Sequence, residues 1–392
     1  MRFPEFKEVW KDSNIGKCFD LYSGNTPSRM EKEHFIGDVN WITSGELKEH
    51  YIGDTKERIS EKAAADNNLR ILPVGTFVMA IYGLEAEGVR GTCSIIVKTS
   101  TISQACMAFT PKSNVSNEFL YSWYKKHGNK IGIRYAQGTK QQNLSYDIIE
   151  KFPIRYPSIE EQEKLNTFIS LLDSRIATQN KIIEDLKKLK VAICNKLIDN
   201  LVNREPLICF SEVYSKASEG GTPETSKSEY YENGIIPFIK IDDLSNKYIT
   251  SNKDFITDLG LQKSSAWIIP THSLIYSNGA TIGAISINTY EVCTKQGILG
   301  IVPKSAISVE YLYCLMSSNY FSKQVHRIIT HGTMATAYLK DINKIKVPIP
   351  CMPQQLEIAN TVSSVTNKIE TELNILSLLK KQKQYLLQQM FI

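Results

Sequence analysis

YPSIEEQEKL, Tyr156–Leu165, and IPCMPQQLEI, Ile349–Ile358, decide how this chain is read. Each is a proline-marked stop that opens a long run with apolar residues at steps of three and four, the spacing of one helix face. In the first stretch, Ser158 and Glu161 fit an S-x-x-E capping box, where a hydroxyl and a carboxylate satisfy the unpaired donors of a helix start. In the second, Pro353 falls in the first turn, where its missing N–H costs nothing. Both stretches therefore predict helix starts, half a chain apart.

Behind the first start the apolar positions are Leu165, Ile169, Leu172, Ile176, Ile183, Leu186, Leu189, Ile193 and Leu197. Behind the second they are Ile358, Val362, Val365, Ile369, Leu373, Leu376, Leu379, Leu386 and Met390. This is the narrow seam of a coiled coil. Neither run contains Gly or Pro after its first turn, so each predicts a helix of ~40 residues and ~60 Å. Such a helix needs a partner for its apolar stripe. The economical partner is the other helix of the same chain, packed antiparallel.

The similarity extends upstream of the helices. Aligning the two stretches pairs Gln162 with Gln355, and other matches follow in the same order. Asn25–Pro27 (NTP) meets Gly221–Pro223 (GTP). NWITSGELKEHYI, Asn40–Ile52, meets PFIKIDDLSNKYI, Pro237–Ile249. LPVGTFVMAIYG, Leu72–Gly83, meets IPTHSLIYSNGA, Ile269–Ala280. PKSNVSNEFLY, Pro111–Tyr121, meets PKSAISVEYLY, Pro303–Tyr313, and Gln137–Thr139 (QGT) meets His331–Thr333 (HGT). An ordered set of this kind marks a duplication, and two copies of this length predict two quasi-equivalent domains. Within a copy, GTFVMAIY, CSIIVKT and QACMAFT are strand candidates. NEFLYSWYKKHGNKI has helical spacing and is expected to end near Gly128.

Length and composition fit this reading. The 392 residues allow two ordinary domains, and 42% apolar with 22% charged residues is the composition of a soluble globular protein. The eight cysteines show no C-x-x-C spacing and sit in apolar contexts, which predicts reduced thiols. The charged start MRFPEFKEVWKDSN lacks the apolar stretch of a signal peptide, and no window reaches the ~18 apolar residues of a membrane span. The expected location is cytoplasmic, without a membrane partner.

Catalytic signatures are missing. The nearest approach to a phosphate-binding loop, Gly83–Arg90, has Val89 where the lysine belongs. G-x-G-x-x-G, H-E-x-x-H, G-x-S-x-G and the N-P-P-[YF] pocket of amino-methyltransferases do not occur. What does recur is basic charge ahead of each closing helix. The first copy carries Lys125, Lys126, Lys130, Arg134, Lys140 and Lys151 with Tyr124 and Tyr135. The second carries Lys323, Arg327, Lys340, Lys344 and Lys346 with Tyr320 and Tyr338. Lysine and arginine neutralise phosphates, while amides such as Gln141, Gln142 and Asn143 can pair with a base edge. The bland alternative is an ordinary solvated face, and the repetition weighs against it.

The duplicated G-[NG]-T-P opening, the Gly-Thr loop and the proline-flanked helix start resemble the specificity subunit of type I restriction–modification systems, over essentially the whole chain. The resemblance implies an α+β fold: two repeated mixed α/β target-recognition domains separated by two long antiparallel coiled-coil helices, with pseudo-two-fold symmetry. It places the recognition domains at 1–157 and 203–352 and the conserved helical spacers at 158–202 and 353–392. It implies a non-catalytic subunit that reads a bipartite site in double-stranded DNA. Its partners would be two methyltransferase subunits and restriction/translocase subunits, to which S-adenosylmethionine, ATP and magnesium belong. The subunit itself would hold no cofactor or metal. Candidate DNA-contacting residues are Arg134, Lys140, Gln141, Gln142 and Asn143 in the first copy. Lys240, Asn278 in the Gly-rich SNGATIG, Arg327, Thr333 and Lys340 are their counterparts in the second. The competing reading is a coiled-coil scaffold without sequence-specific DNA binding, for which DNA affinity would be negligible and independent of salt.

Overall fold

The two runs free of glycine and proline fold as continuous α-helices, Ile159–Val202 of 44 residues and Met352–Met390 of 39. The computed structural model describes residues 2–85, 88–136, 138, 142–279, 281–330 and 335–391. The chain divides into two compact units: Met1–Gln179 with Ile375–Ile392, and Asn180–Asn374. Each long helix thus contributes one segment to each unit.

In the first unit a five-stranded sheet runs in the order Phe19–Ser23, Cys106–Pro111, Phe77–Ala80, Cys93–Ile96, Tyr51–Ile52, antiparallel except for the last pair. A three-stranded sheet runs Arg58–Ile59, Val39–Ile42, Ser100–Ile102, and Lys11–Asn14 pairs with Pro153–Tyr156. The predicted strand segments supply the buried centre, where Phe77 packs edge-on to Phe109 and Tyr124. Helix Asn117–Tyr135 covers the large sheet, with Ser116 as its N-cap.

The second unit repeats this plan. Its five-stranded sheet runs Tyr214–Glu219, Ile298–Pro303, Leu274–Ser277, Ile285–Asn288, Tyr248–Ile249. Its three-stranded sheet runs Asp254–Ile256, Ile236–Ile239, Cys293–Thr294, and Leu207–Cys209 pairs with Lys346–Pro348. The covering helix is split here into Val309–Met316 and Asn319–Ile328, with Ser318 capping the second piece. The chain therefore has a duplicated α+β fold, pseudo-symmetric in its order of elements.

Within each unit the long-helix segments pack antiparallel. In the first, Leu165 and Ile169 share a core with Leu386, Met390 and Phe391, and Asp173 forms an ion pair with Lys383. In the second, Cys194, Ile198 and Leu201 share a core with Ile358 and Val362. Along that pair Lys187–Asn195 faces Val362–Leu373, and Leu197–Glu205 faces Gln354–Thr361, so numbering rises on one helix as it falls on the other.

Three sequence expectations need correction. The Asn117–Tyr135 helix runs through Gly128 because that glycine is a contact site: a Cβ there would lie 2.8 Å from the Cα of Gly91 and 2.9 Å from the Tyr124 ring. Only half of the capping box forms. The Glu161 N–H approaches Ser158 Oγ at 3.4 Å, but the Glu161 carboxylate accepts from Nε and Nη2 of Arg2, at 2.7 and 2.6 Å, a stronger charge-assisted pair. Finally, Leu189 and Leu373 are 48% and 42% exposed. From Leu186 the buried stripe advances in steps of four through Lys190, Cys194 and Ile198, which turns Leu189 outward. On the other helix Glu372 is buried, its carboxylate 2.6 Å from Lys368, and Leu373 faces out.

All eight cysteines are free, and burial pushes the Cys93, Cys106 and Cys293 thiols up to about 12. Among the described residues no helix is long and apolar enough to cross a membrane, and no group of His, Cys, Asp and Glu could hold a metal.

Candidate nucleic-acid interface

In the second unit a cleft of about 550 Å³ opens where five segments converge, lined by Thr222, Lys240, Thr281, Lys295, Gln296 and Tyr338 among others. The first turn begins at Gly220, where a Cβ would lie 2.1 Å from the Thr294 carbonyl, so the backbone can pass only as glycine. Lys240 caps a short 3₁₀ turn. Its N–H donates to Asp243 Oδ2 at 2.8 Å, and its ammonium lies 2.7 Å from Asp254. Lys295 and Gln296 form the tip of the turn before strand Ile298–Pro303. The Lys295 N–H donates to the Ile239 carbonyl at 3.1 Å and the Gln296 N–H to Thr222 Oγ1 at 3.2 Å, which leaves both side chains outward and exposed.

Asn278 is fully buried. Its backbone pairs with Gly297 and Ala337, and its side-chain amide donates to the Ala337 carbonyl at 3.2 Å. It fixes the turn beneath Gly279 and Thr336, which bridge across the cleft wall. Lys340 stands just beyond, its ammonium 5.5 Å from the Tyr338 ring. Arg327 ends the Asn319–Ile328 helix, exposed, donating to Gln324, and does not line the cleft. Thr333 lies outside the described residues.

The first unit presents the same turns with other side chains. Tyr82 bridges to Asn143 as Gly279 does to Thr336, and the Leu144 N–H donates to Ile81 as that of Ala337 does to Asn278. Gln142 is held from two sides: its N–H donates to Glu85 Oε2 at 2.8 Å, and its side-chain oxygen accepts from Arg90 at 3.0 Å. That backbone donor holds the Glu85 carboxyl below its ordinary range. Arg134 lies apart from this loop. It is exposed in the last turn of its helix, 5.4 Å from the Tyr135 ring, beside a small hollow lined by Trp123, His127 and Phe152. Lys140 and Gln141 lie outside the described residues.

The arrangement therefore gathers Lys240, the turn built on Asn278, and Tyr338 with its neighbour Lys340, and it joins Gln142 and Asn143 to the Tyr82 loop. Lys295 and Gln296 escaped the sequence reading, which looked for charge runs. A signal was present nonetheless. TISQACM and CTKQGIL carry a glutamine at the same turn, and exposed Gln104 occupies the position of Gln296. The equivalence is structural, because Ser103 and Lys295 donate to Ile42 and Ile239, matched positions of the two small sheets.

The family model for the type I restriction modification DNA specificity domain matches this chain twice, over residues 7–188 and 209–381. The chain belongs to that family. Over 98% of its length it is 26% identical to the specificity subunit of the type I restriction enzyme MjaIX from Methanocaldococcus jannaschii, covering 94% of that relative. Two solved structures share the fold of this DNA specificity protein. One is the type I restriction-modification S subunit from M. genitalium, with a TM-score of 0.53 and 17% identity over 100% of this chain and 99% of that one. The other comes from work on complex assembly of the type I R-M system, with a TM-score of 0.65 and 14% identity over 98% and 97%.

Proposed function

We propose that this chain is the DNA sequence-reading subunit of a type I restriction–modification complex, non-catalytic itself, recognising a bipartite target through one cleft per domain. The observation that supports this reading is the repeated set of turns. Two units of one topology present the same turns, which in the second unit line a cleft with Lys240, Lys295 and Gln296 and in the first carry Tyr82, Gln104 and Asn143. Equal frames with unlike side chains suit two different half-sites, read by amides and anchored by lysines. The recognition domains are 1–157 and 203–352, and the helical segments 158–202 and 353–392 set the unread gap between half-sites. Gln142, Asn143, Lys240 and Lys340 are the DNA contacts of this reading, and Arg134 and Arg327 are candidate phosphate contacts outside the cleft. Lys140, Gln141 and Thr333 remain candidates outside the described residues, and Asn278 supports its loop from within.

Two methyltransferase subunits and the restriction/translocase subunits are the partners, one methyltransferase presenting an adenine on each strand for flipping. Family membership favours this reading over a coiled-coil scaffold. The test is binding of the assembled complex to duplex DNA across a salt series. The reading expects a steep linear fall of log affinity with log salt and discrimination between sequences. Weak, salt-independent binding would support the scaffold instead.

A further inference from the structure

The duplication supplies an internal control for charge balance. Because Gln162 matches Gln355 and both long helices run on without insertion, Asp173 corresponds to Thr366, and Lys383 to Lys190. In the first unit Lys383 and Asp173 form an ion pair. In the second the acid has become Thr366, and Lys190 has no hydrogen-bond or ion-pair partner among the described residues, although it is half-buried. Burial lowers its pKa from the ordinary lysine value.

A second cation joins it. His50 and Lys247 are equivalent, since their carbonyls accept from Ile95 and Ile287, each at 2.8 Å. In the first unit His50 stacks between Tyr51 and Tyr121, at 4.1 and 3.9 Å, and meets the Glu118 carboxylate at 2.9 Å. In the second, Lys247 lies over Tyr248 and Tyr313, at 4.9 and 5.7 Å, and reaches only Ser363 Oγ, at 3.0 Å. The matching acid, Glu310, is turned to His272 at 3.2 Å. The first unit is balanced at both positions, and the second has lost both counter-ions.

Lys190 and Lys247 border one cavity of about 700 Å³, with Lys187 on its wall, Asn195, Asn246 and Thr366 as further polar groups, and Glu370 as its single acid. We infer that this cavity binds a small phosphorylated anion. Lys187, Lys190 and Lys247 face a single acid, Glu370, whose charge reaches Lys190. The excess positive charge held out of full solvent is costly unless a ligand balances it, and lysine binds phosphate as a point charge. The volume lies within the range of small-molecule sites. The cavity is distinct from the DNA cleft, and the inference does not depend on that cleft's function.

The test uses the full-length protein, with inorganic phosphate and ADP titrated calorimetrically at constant ionic strength. Saturable binding is expected for at least one of them. Thr366→Asp should rebuild the ion pair of the first unit, and both it and Lys190→Gln should weaken binding by ~10-fold or more. Tighter binding of ADP than of phosphate would identify a nucleotide; equal binding would show that the phosphate group alone is read. The inference fails if wild type binds neither probe, or if Thr366→Asp binds as wild type does. It also fails if only duplex DNA, and neither small anion, depends on Lys190.

Discussion

Gln162 and Gln355 make the same three hydrogen bonds in the two halves of the chain. Each is buried one turn into its long helix. The Gln162 side-chain oxygen accepts from the Ser116 N–H at 3.0 Å, and its nitrogen donates to the carbonyls of Asn114 and Pro157, at 2.7 and 3.0 Å. Gln355 accepts from Ser308 at 2.8 Å and donates to Ala306 and Pro350, at 3.1 and 2.8 Å. One amide thus ties a helix start to the N-cap of the sheet-covering helix. Replacing either glutamine by leucine would orphan one buried N–H and two carbonyls, a loss of about 2–4 kcal/mol. Hydrogen exchange should show the loss confined to the unit that carries the change.

Gly128→Ala tests the close approach to Gly91. Alanine gains about 1 kcal/mol in helix propensity but forces a Cβ against the Gly91 backbone, an overpacking cost of about 1–3 kcal/mol. A lower melting temperature with exchange spreading through Asn117–Tyr135 is expected. A more stable variant would show that the contact relaxes freely.

At the cleft, Lys295 and Gln296 should behave differently. Lys295→Ala is expected to weaken DNA binding on all sequences and to reduce the salt slope by about 1, whereas Gln296→Ala should relax preference at one base with little change of slope. Gln104→Ala should do the same in the other half-site. Methylation mapping and salt-series binding separate these outcomes.

The half-buried Lys190 carries a pH signature. Because burial lowers the Lys190 pKa below its ordinary 10.5, the charged form is penalised in the folded state. That cost is fully present at neutral pH, and it disappears as pH rises through the lowered value toward 10.5. Lys190→Met should therefore raise the melting temperature of the second unit at pH 7, and the gain should shrink in alkaline buffer. A destabilised variant at pH 7 would contradict the assignment.

Much of this was legible in the sequence, for physical reasons. Helix starts announce themselves through Pro353 and Ser158, and long runs without glycine or proline have no other good conformation. The strands around Phe77, Cys93 and Cys106 were visible as β-branched and aromatic runs. Tertiary partners were not. Arg2 diverts Glu161 from its cap, Gly91 makes Gly128 a contact rather than a stop, and paired Glu372 takes a seam place that an apolar count gives to Leu373. The candidate site divides the same way. A charge run located Lys340, and Lys240 stood only among the candidate residues. Gln296, which shares a glutamine turn with Gln104, takes its place at the cleft once the sheet order brings its turn beside Thr222. Asn278, readable as a loop amide, proves to be the buried support of that loop.

The most direct test is a map of methylated adenines in cells whose protein has Met1–Pro157 exchanged for the corresponding domain of another specificity subunit. The account predicts that one half of the methylated motif changes while the other half and the gap persist. An unchanged motif, or one altered on both sides, would contradict it.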